Sequence, residues 1–271
     1  MTNRSPQRIG PADLLAAYDE QLRTDAETPS ALTVTRLGPL RLVTFPGGRG
    51  FITYRDLGGA DAEAIQSIVI EALAHYKRDP EIKRVEWKAR GHDQAPGLHD
   101  ALISNGFTPD EPESIMIGEA HLLAIDVAVP TGVRLRQITS EPDVRAMCAM
   151  VGAVFGDTDA ESDEAAYALI RRLSFGDGME LWVAEHQREI VGAGRLEPVA
   201  ASEFAGIWGG ATRPDWRGKG IYRALTAARA RSALKQGKTL IHSDSTEYSR
   251  PILERSGLVP VSTTTPYRWR R

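Results

Sequence analysis

Ile207 to Ala233 reads I-W-G-G-A-T-R-P-D-W-R-G-K-G-I-Y-R-A-L-T-A-A-R-A-R-S-A, and its order decides the fold. A short apolar run with two glycines leads to a turn at Arg213-Pro214-Asp215. Arg217-Gly218-Lys219-Gly220 follows, and then an Ala- and Arg-rich segment of strong helix propensity. The expected succession is strand, basic glycine loop, helix N-terminus. The leading N–H groups of a helix have no internal acceptor and the macrodipole is positive there, so an anion is favoured. Gly218 and Gly220 lack a Cβ, which lets amides converge and a ligand approach the main chain. Arg217, Lys219 and Arg223 add positive charge, and the expected ligand carries a diphosphate.

Two other phosphate loops fit worse. A Walker loop needs a hydroxyl after its lysine, and Lys219 is followed by Gly220 and Ile221. A dinucleotide fingerprint needs a third glycine where Arg223 stands. The segment resembles the core of the GNAT superfamily of acyl-CoA-dependent N-acyltransferases, whose loop reads Arg/Gln-x-x-Gly-x-Gly/Ala after a strand ending Val-x-Pro. Here these elements are Thr212-Arg213-Pro214 and Arg217-Gly218-Lys219-Gly220-Ile221-Tyr222, with Tyr222 where the family has Gly or Ala. The resemblance implies acetyl-CoA as co-substrate, held by Ala211, Thr212, Arg213, Arg217, Gly218, Lys219, Gly220, Ile221, Tyr222, Arg223 and Ser249. The plainer alternative is an arginine-rich surface helix behind a glycine turn.

The 271 residues suffice for one large domain or two ordinary ones, and 42% hydrophobic with 25% charged residues is the composition of a core-forming chain. A net charge of -3 gives no general pull toward nucleic acid or an anionic membrane. The basic end Arg268-Trp269-Arg270-Arg271 is the one local exception, and RNA or protein scaffolding through it is a minor alternative. The single cysteine, Cys148, sits among Ala146, Met147, Ala149 and Met150 and reads as a buried apolar residue. Met1 to Arg8 leads into no apolar signal core, and no run approaches the ~20 residues that span a bilayer, so a soluble cytoplasmic protein is expected. The histidines show no i, i+4 pair and there is no cysteine set, so no metal site is expected.

Periodicity extends this along the chain. Pro11 to Arg23 reads as an amphipathic helix; 32–35, 40–45 and 51–54 read as strands, with Pro46-Gly47-Gly48-Arg49-Gly50 as a hairpin connection. A helix at 61–76, a strand at 83–89, a helix at 96–105 and a strand at 114–118 follow. After a bridge at 120–130, the second half reads as a strand at 133–138, helices at 140–155 and 159–173, and a hairpin of 181–185 with 189–196. A strand at 204–212, the glycine loop with its helix, a strand at 238–243, a helix at 247–256 and closing strands at 261–269 complete it. Leu102-Ile103-Ser104-Asn105-Gly106-Phe107-Thr108-Pro109 echoes Leu253-Glu254-Arg255-Ser256-Gly257-Leu258-Val259-Pro260.

The fold expected from the resemblance is α/β (α+β), two tandem GNAT-like domains at 1–130 and 131–271, each a mixed sheet flanked by helices. Where the first half would carry a cofactor loop it has Asp56 and Asp61, whose carboxylates at a helix start repel a diphosphate. That half is expected to have lost coenzyme binding and to support the fold or wall an acceptor cleft.

Acyl transfer to an amine needs a docked thioester, a neutral amine and a proton donor for the thiolate. Gly209 and Gly210 permit a bulge, and amides near Ala211 and Thr212 are expected to bind the thioester carbonyl. The family's sulfur-protonating tyrosine falls on Leu253, which cannot do this; Tyr248, Tyr222 and Ser249 are the nearby substitutes, with water as the simplest donor. Asp244 or Glu185 is the candidate base. His242 reads as a core histidine, and Trp182, Trp208 and Trp216 as core or pocket walls. The resulting expectation is an N-acetyltransferase acting on a small-molecule or peptide amine in a ternary complex, monomeric or a homodimer, with no nucleic acid or membrane partner. A non-catalytic acyl-CoA-binding sensor is the alternative.

Overall fold

The computed structural model describes residues 9–271. The reading of Met1 to Arg8 lies outside them. Among the described residues, no helix is long and apolar enough to cross a membrane. The chain forms two compact units, each drawn from separated stretches. One comprises residues 18–115, 244–247 and 262–271; the other comprises, among the described residues, 9–17, 116–243 and 248–261. The expected cut between residues 130 and 131 therefore follows the order of the sequence motifs and not the compact units.

Helix α1 (Pro11–Gln21) opens the described chain and buries Leu14 and Tyr18 at the spacing of an amphipathic helix. The unit built mainly from 18–115 contains β1 (Thr33–Leu37), β2 (Leu40–Phe45) and β3 (Arg49–Tyr54), an antiparallel meander. A Cβ on Gly48 would lie 2.2 Å from the Glu81 carbonyl oxygen, so this glycine serves close packing of the turn. Helix α2 (Ala62–Lys77) starts at Asp61, whose carboxylate accepts from the Ala64 N–H at 2.9 Å. Its inner face buries Ile65, Val69, Leu73 and Tyr76, as the helical spacing requires. The Tyr76 hydroxyl donates to the carbonyls of Val43 at 2.8 Å and Phe51 at 3.0 Å, tying the helix to the hairpin.

Strand β4 (Arg84–Arg90) runs parallel to β3, from Arg49 opposite Arg84 to Ile52 opposite Trp87. Helix α3 (Leu98–Ser104), the short β5 (Thr108–Pro109) and β6 (Glu113–Glu119) follow. The closing strand β12 (Val259–Arg270) lies antiparallel to β4, from Thr264 opposite Arg90 to Arg270 opposite Arg84. The core gathers Tyr54, Leu73, Trp87 and Leu102, all at most 2% exposed. The C-terminal residues expected to form a basic tail are thus a packed strand. Trp269 is buried, Arg268 pairs with Asp110, and the Arg271 side chain donates to the carbonyls of Ile82 and Asp79.

In the other unit the bridge begins as a helical turn, α4 (Ala120–Leu123). Then come β7 (Val133–Ile138), α5 (Glu141–Phe155), α6 (Asp159–Leu173), β8 (Glu180–His186), β9 (Glu189–Pro198) and β10 (Phe204–Thr212). Helix α7 (Ile221–Lys235), β11 (Leu240–Ser245) and α8 (Arg250–Arg255) complete it. The strand order is β6-β11-β10-β9-β8-β7, with β10 and β11 parallel and the β10-β9-β8-β7 run antiparallel. Val144 and Met147 of α5 pack with Leu181, Val183 and Ala193, whereas Ile221 and Leu225 of α7 pack with Ala184 and Val191. Val183 and Ala184 are neighbours on β8 and point to opposite faces, so α5 and α7 lie on opposite sides of this sheet.

The sequence echo has a structural counterpart. In α3 the Phe107 N–H reaches the Leu102 carbonyl at 3.0 Å and the Gly106 N–H the Ile103 carbonyl at 3.0 Å. In α8 the Leu258 N–H reaches Leu253 at 3.1 Å and the Gly257 N–H reaches Glu254 at 3.0 Å. Both are Schellman caps, with Gly106 at φ 84° and Gly257 at φ 104° supplying the left-handed residue. Leu253 is fully buried and is the helix-side hydrophobe of that cap, as Leu102 is in the other unit.

Candidate active site

The geometry begins in β10. It pairs with β11 only from Phe204 opposite Leu240 to Gly206 opposite His242, although β10 continues to Thr212 and β11 to Ser245. On its other side, Trp208 faces Arg195 and the next pair is Ala211 with Ala193. Gly209 and Gly210 therefore oppose Gly194 alone, a bulge that bends the strand and breaks the ladder. Gly209 has φ 58°, which favours glycine. The sequence expectation of a bulge at these two glycines is what the strand contains. Trp208 packs edge-on to His242 at 5.1 Å, and a Cβ on Gly206 would strike the indole at 2.2 Å, so Trp208 lies folded over the last paired residues.

Beyond β10, Pro214–Trp216 makes one turn of 3-10 helix, and Gly218 (φ 73°) and Gly220 (φ 82°) carry the chain into α7. Gly220 is the N-cap and makes no side-chain cap, and the first helical bond runs from the Ala224 N–H to the Gly220 carbonyl at 2.9 Å. The amides of Ile221, Tyr222 and Arg223 precede that bond and have no acceptor within the helix. Gly218 has open space around its Cβ direction, so the cradle admits a ligand at the main chain. Arg217 is exposed and donates from Nε to the Thr212 carbonyl at 3.3 Å. The Lys219 ammonium stands 4.6 Å from the centre of the Trp216 ring, which also packs on His186 at 4.8 Å. Thr212 Oγ1 is buried without a hydrogen-bond partner among the described residues. Amides without an acceptor in the helix, basic side chains and an orphaned hydroxyl fit a diphosphate at this loop.

The remaining predicted residues divide. Arg213 turns away from the cradle: its guanidinium holds Glu189 at 2.9 Å and Asp215 at 3.2 Å, on the rim of an open groove of about 630 Å³ that Arg136, Met150 and Arg188 also line. Ala211 is buried at the end of the bulge, and Ile221, the first residue of α7, is buried. Tyr222 folds back beneath β10, where a Cβ on Gly210 would meet its ring at 2.7 Å. Burial raises its phenol above the ordinary range, so the departure from the family pattern packs the bulge rather than crowding the loop. Ser249 occupies the N-cap of α8 without capping it, and Tyr248 beside it is 81% exposed.

The two carboxylates expected as bases are both bound to cations. Glu185 accepts from Arg134 at 2.7 Å and from Arg136 at 2.7 Å, and these hydrogen bonds hold its carboxyl below the ordinary range. Such an acid is a poor proton acceptor near neutral pH, and its hydrogen bonds fasten β8 to β7. Asp244 accepts from Lys88 at 2.8 Å, in the unit that contains β3 and β4. His242 is buried at the end of the β10–β11 pairing, as a core histidine is expected to be.

Arg229 is the functional candidate that the sequence reading missed. It sits in α7 at 1% exposure and donates to three main-chain carbonyls: Leu225 at 3.1 Å, Arg195 at 3.1 Å and Trp208 at 3.4 Å. Its other partner is Thr226 Oγ1 at 3.3 Å. Burial lowers its pKa to about 10, which still leaves it charged at neutral pH. An arginine in an alanine-rich helix gives no local sign of facing inward; the sign is Gly194, distant in sequence, whose Cβ would lie 2.5 Å from the guanidinium.

The unit of 18–115 has its own parallel pair, β3 with β4, and beyond Ile52 and Trp87 it is filled with charge. Arg90 pairs with Glu27 and donates to Thr53 Oγ1 at 3.1 Å, and Arg23 donates to the Tyr54 carbonyl at 3.0 Å. Glu27 also accepts from Arg41 at 2.8 Å and Thr53 at 2.8 Å. With Asp61 capping α2, this unit presents no counterpart of the basic glycine cradle among the described residues.

Residues 177–255 match the family model described as an acetyltransferase (GNAT) domain, a span that holds the bulge, the loop and α7. No curated protein matches the sequence. Among solved structures, a GCN5-related N-acetyltransferase from Kribbella flavida is similar at 17% identity and TM-score 0.65, covering 95% of each chain. A tandem GNAT protein from the clavulanic acid biosynthesis pathway is similar at 14% identity and TM-score 0.61, covering 97% of each chain. A GCN5-related N-acetyltransferase from Sphaerobacter thermophilus gives 17% identity and TM-score 0.56, covering 97% of this chain and 94% of that one. The fold is the mixed α/β fold of GNAT proteins. The matched span is similar to acetyltransferase domains of this fold.

Proposed function

We propose that the unit bearing α7 is an N-acyltransferase that moves an acetyl group from acetyl-CoA to a primary amine of a small molecule or peptide. The observation that carries this reading is the combination in one strand-loop-helix of a pairing that ends at Gly206–His242, a Gly209–Gly210 bulge and a glycine-lined helix N-terminus. Gly218, Gly220 and the leading amides of α7 bind the diphosphate, with Arg217, Lys219 and Arg223 adding charge and Thr212 Oγ1 a further polar contact. The bulge leaves main-chain amides off the ladder, where they polarise a thioester carbonyl. When bound, acetyl-CoA supplies an activated acyl group: the amine nitrogen forms the new C–N bond, the C–S bond breaks, and the nitrogen gives up a proton. Direct attack is favoured because Cys148 is buried, and burial raises its thiol above the ordinary range. Glu185 and Asp244 are each tied to cations, so this reading passes the amine's proton to water, and the departing thiolate takes a proton from water or from Tyr248, the side-chain candidate.

Titration calorimetry of the full chain with CoA and with acetyl-CoA tests the cradle. Arg217→Glu and Gly220→Leu are each expected to weaken binding at least tenfold, roughly 1.4 kcal/mol, while the far-ultraviolet spectrum is unchanged. Wild-type affinity in both variants sinks the assignment. The burial of Leu253 at the position where the family places its tyrosine favours a second reading, a non-catalytic acyl-CoA sensor. Thiol release from acetyl-CoA over a panel of amines decides between the two, since a sensor binds without turnover.

A further inference from the structure

We propose that Arg229 is a positioning residue: admitted by the missing side chain of Gly194, its guanidinium fixes the Gly209–Gly210 bulge in the shape that receives the acyl group. The acyl role rests on the acyltransferase reading above; the fixing of the bulge does not.

A guanidinium buried to 1% is expensive to desolvate, and its hydrogen-bond partners are carbonyls and a hydroxyl, with no carboxylate among them. An apolar side chain in the same helix position would avoid that cost, so the charge must answer a need of its surroundings. The need lies in the bulge. Trp208 and Arg195 form the last pair before the register shifts, and two residues then oppose one. Carbonyls at such a step lose ladder partners, and a buried carbonyl without a donor is unfavourable. Arg229 Nη1 reaches both, at 3.1 Å to Arg195 and 3.4 Å to Trp208.

The helix is built for this. Tyr222, Thr226 and Arg229 follow at the spacing that lines one helix face. Tyr222 lies under Gly210, Thr226 Oγ1 donates to the Tyr222 carbonyl at 2.9 Å, and Arg229 Nη2 donates to Thr226 Oγ1 at 3.3 Å. The space that admits the guanidinium exists because residue 194 has no Cβ; one placed there would lie 2.5 Å from Nη1 and 2.7 Å from Cζ. Gly194 and Arg229 thus form one device, and changing either should release the same two carbonyls.

The test uses Arg229→Met, Gly194→Ala and the pair combined, in the full chain, with Arg229→Lys as the conservative variant should Arg229→Met fail to fold. Segment-resolved amide exchange over residues 204–212 reads the bulge directly. Both single variants are expected to speed exchange there at least about tenfold. The combined variant is expected to be no faster than Arg229→Met alone, because residues acting as a unit are non-additive. Calorimetry with CoA and with acetyl-CoA reads the consequence. CoA affinity is expected to stay within about threefold, since the Gly218–Tyr222 cradle is intact, while any gain from the acetyl group is lost. In turnover, kcat is expected to fall about 10- to 100-fold with little change in the KM for acetyl-CoA, and Arg229→Lys to recover part of it. Unchanged exchange in Arg229→Met, or in Gly194→Ala should Arg229→Met fail to fold, or additive effects of the two positions, overturns the proposal. If the wild-type chain binds no CoA, the acyltransferase reading fails, while the exchange measurements still decide whether Arg229 holds the bulge.

Discussion

Removing the Glu27 carboxylate is expected to loosen the unit of residues 18–115 without touching the glycine cradle. Glu27 is 13% exposed at its side chain and faces Arg90, Arg41 at 2.8 Å and Lys88 at 3.9 Å, with Thr53 donating at 2.8 Å. Arg90 and Arg41 are themselves 0% and 3% exposed, so in Glu27→Ala two buried guanidinium groups lose their shared counter-charge. Arg41 keeps Asp25 at 3.5 Å and Arg90 keeps Thr53, which limits the loss. Breaking a buried pair by deleting one partner costs about 3–5 kcal/mol, and that is the expected destabilisation at pH 7. The pH dependence adds a sign. Burial alone would raise the Glu27 pKa, but Arg90, Lys88, Thr53 and Arg41 outweigh it and lower the value below 4.5. A carboxyl depressed in the folded state contributes its stability above the ordinary pKa and loses it as pH falls through the folded value. The gap between wild type and variant should therefore be full at pH 7 and close under acid. Segment-resolved amide exchange over β2, β3 and β4 measures it, with residues 218–225 as the internal control. A gap below about 1 kcal/mol at pH 7, or one that does not narrow in acid, refutes the reasoning.

Other outcomes follow from the same structure. Leu253→Tyr is not expected to install a proton donor; it overfills the α8 cap and costs about 1–3 kcal/mol in a urea melt, with no gain in turnover. Gly58→Leu and Gly59→Leu, at the first unit's loop, are expected to leave CoA affinity unchanged in calorimetry. Glu185→Gln is expected to leave the pH profile of turnover in place while lowering the melting temperature, because its carboxylate fastens strands and moves no proton. Cys148 is expected to resist a thiol reagent until denaturant unfolds the chain, and rapid labelling of the native protein would contradict its burial.

How much the sequence revealed depended on the range of the interaction. The bulge, the loop and the start of α7 were legible because glycine freedom and helix-end charge are local properties, and Gly209, Gly218 and Gly220 each adopt the positive φ that their identity suggests. Asp61 and Ser140 cap α2 and α5 for the same local reason. What escaped was contact between distant residues. Arg229 reads as one more surface cation until Gly194 is known to lie against it. Arg213 belongs to the loop motif, yet Glu189 and Asp215 draw it aside. Leu253 read as a vacancy in a catalytic pattern, and it is the anchor of a helix cap. Arg268 to Arg271 looked like a basic tail because nothing nearby reveals that β4 needs a partner strand.

That last pairing bears on how the polypeptide is made. Strand β4 finds its antiparallel neighbour in residues 264–270, so the sheet begun by β1 to β4 waits for a strand that lies far later in the chain. A fragment stopped near residue 130 would leave that edge bare and prone to pair with other chains. Expression trials that divide the gene between its two motif-bearing halves should therefore yield an aggregating first piece, rescued when the final strand is supplied on a linker or by circular permutation.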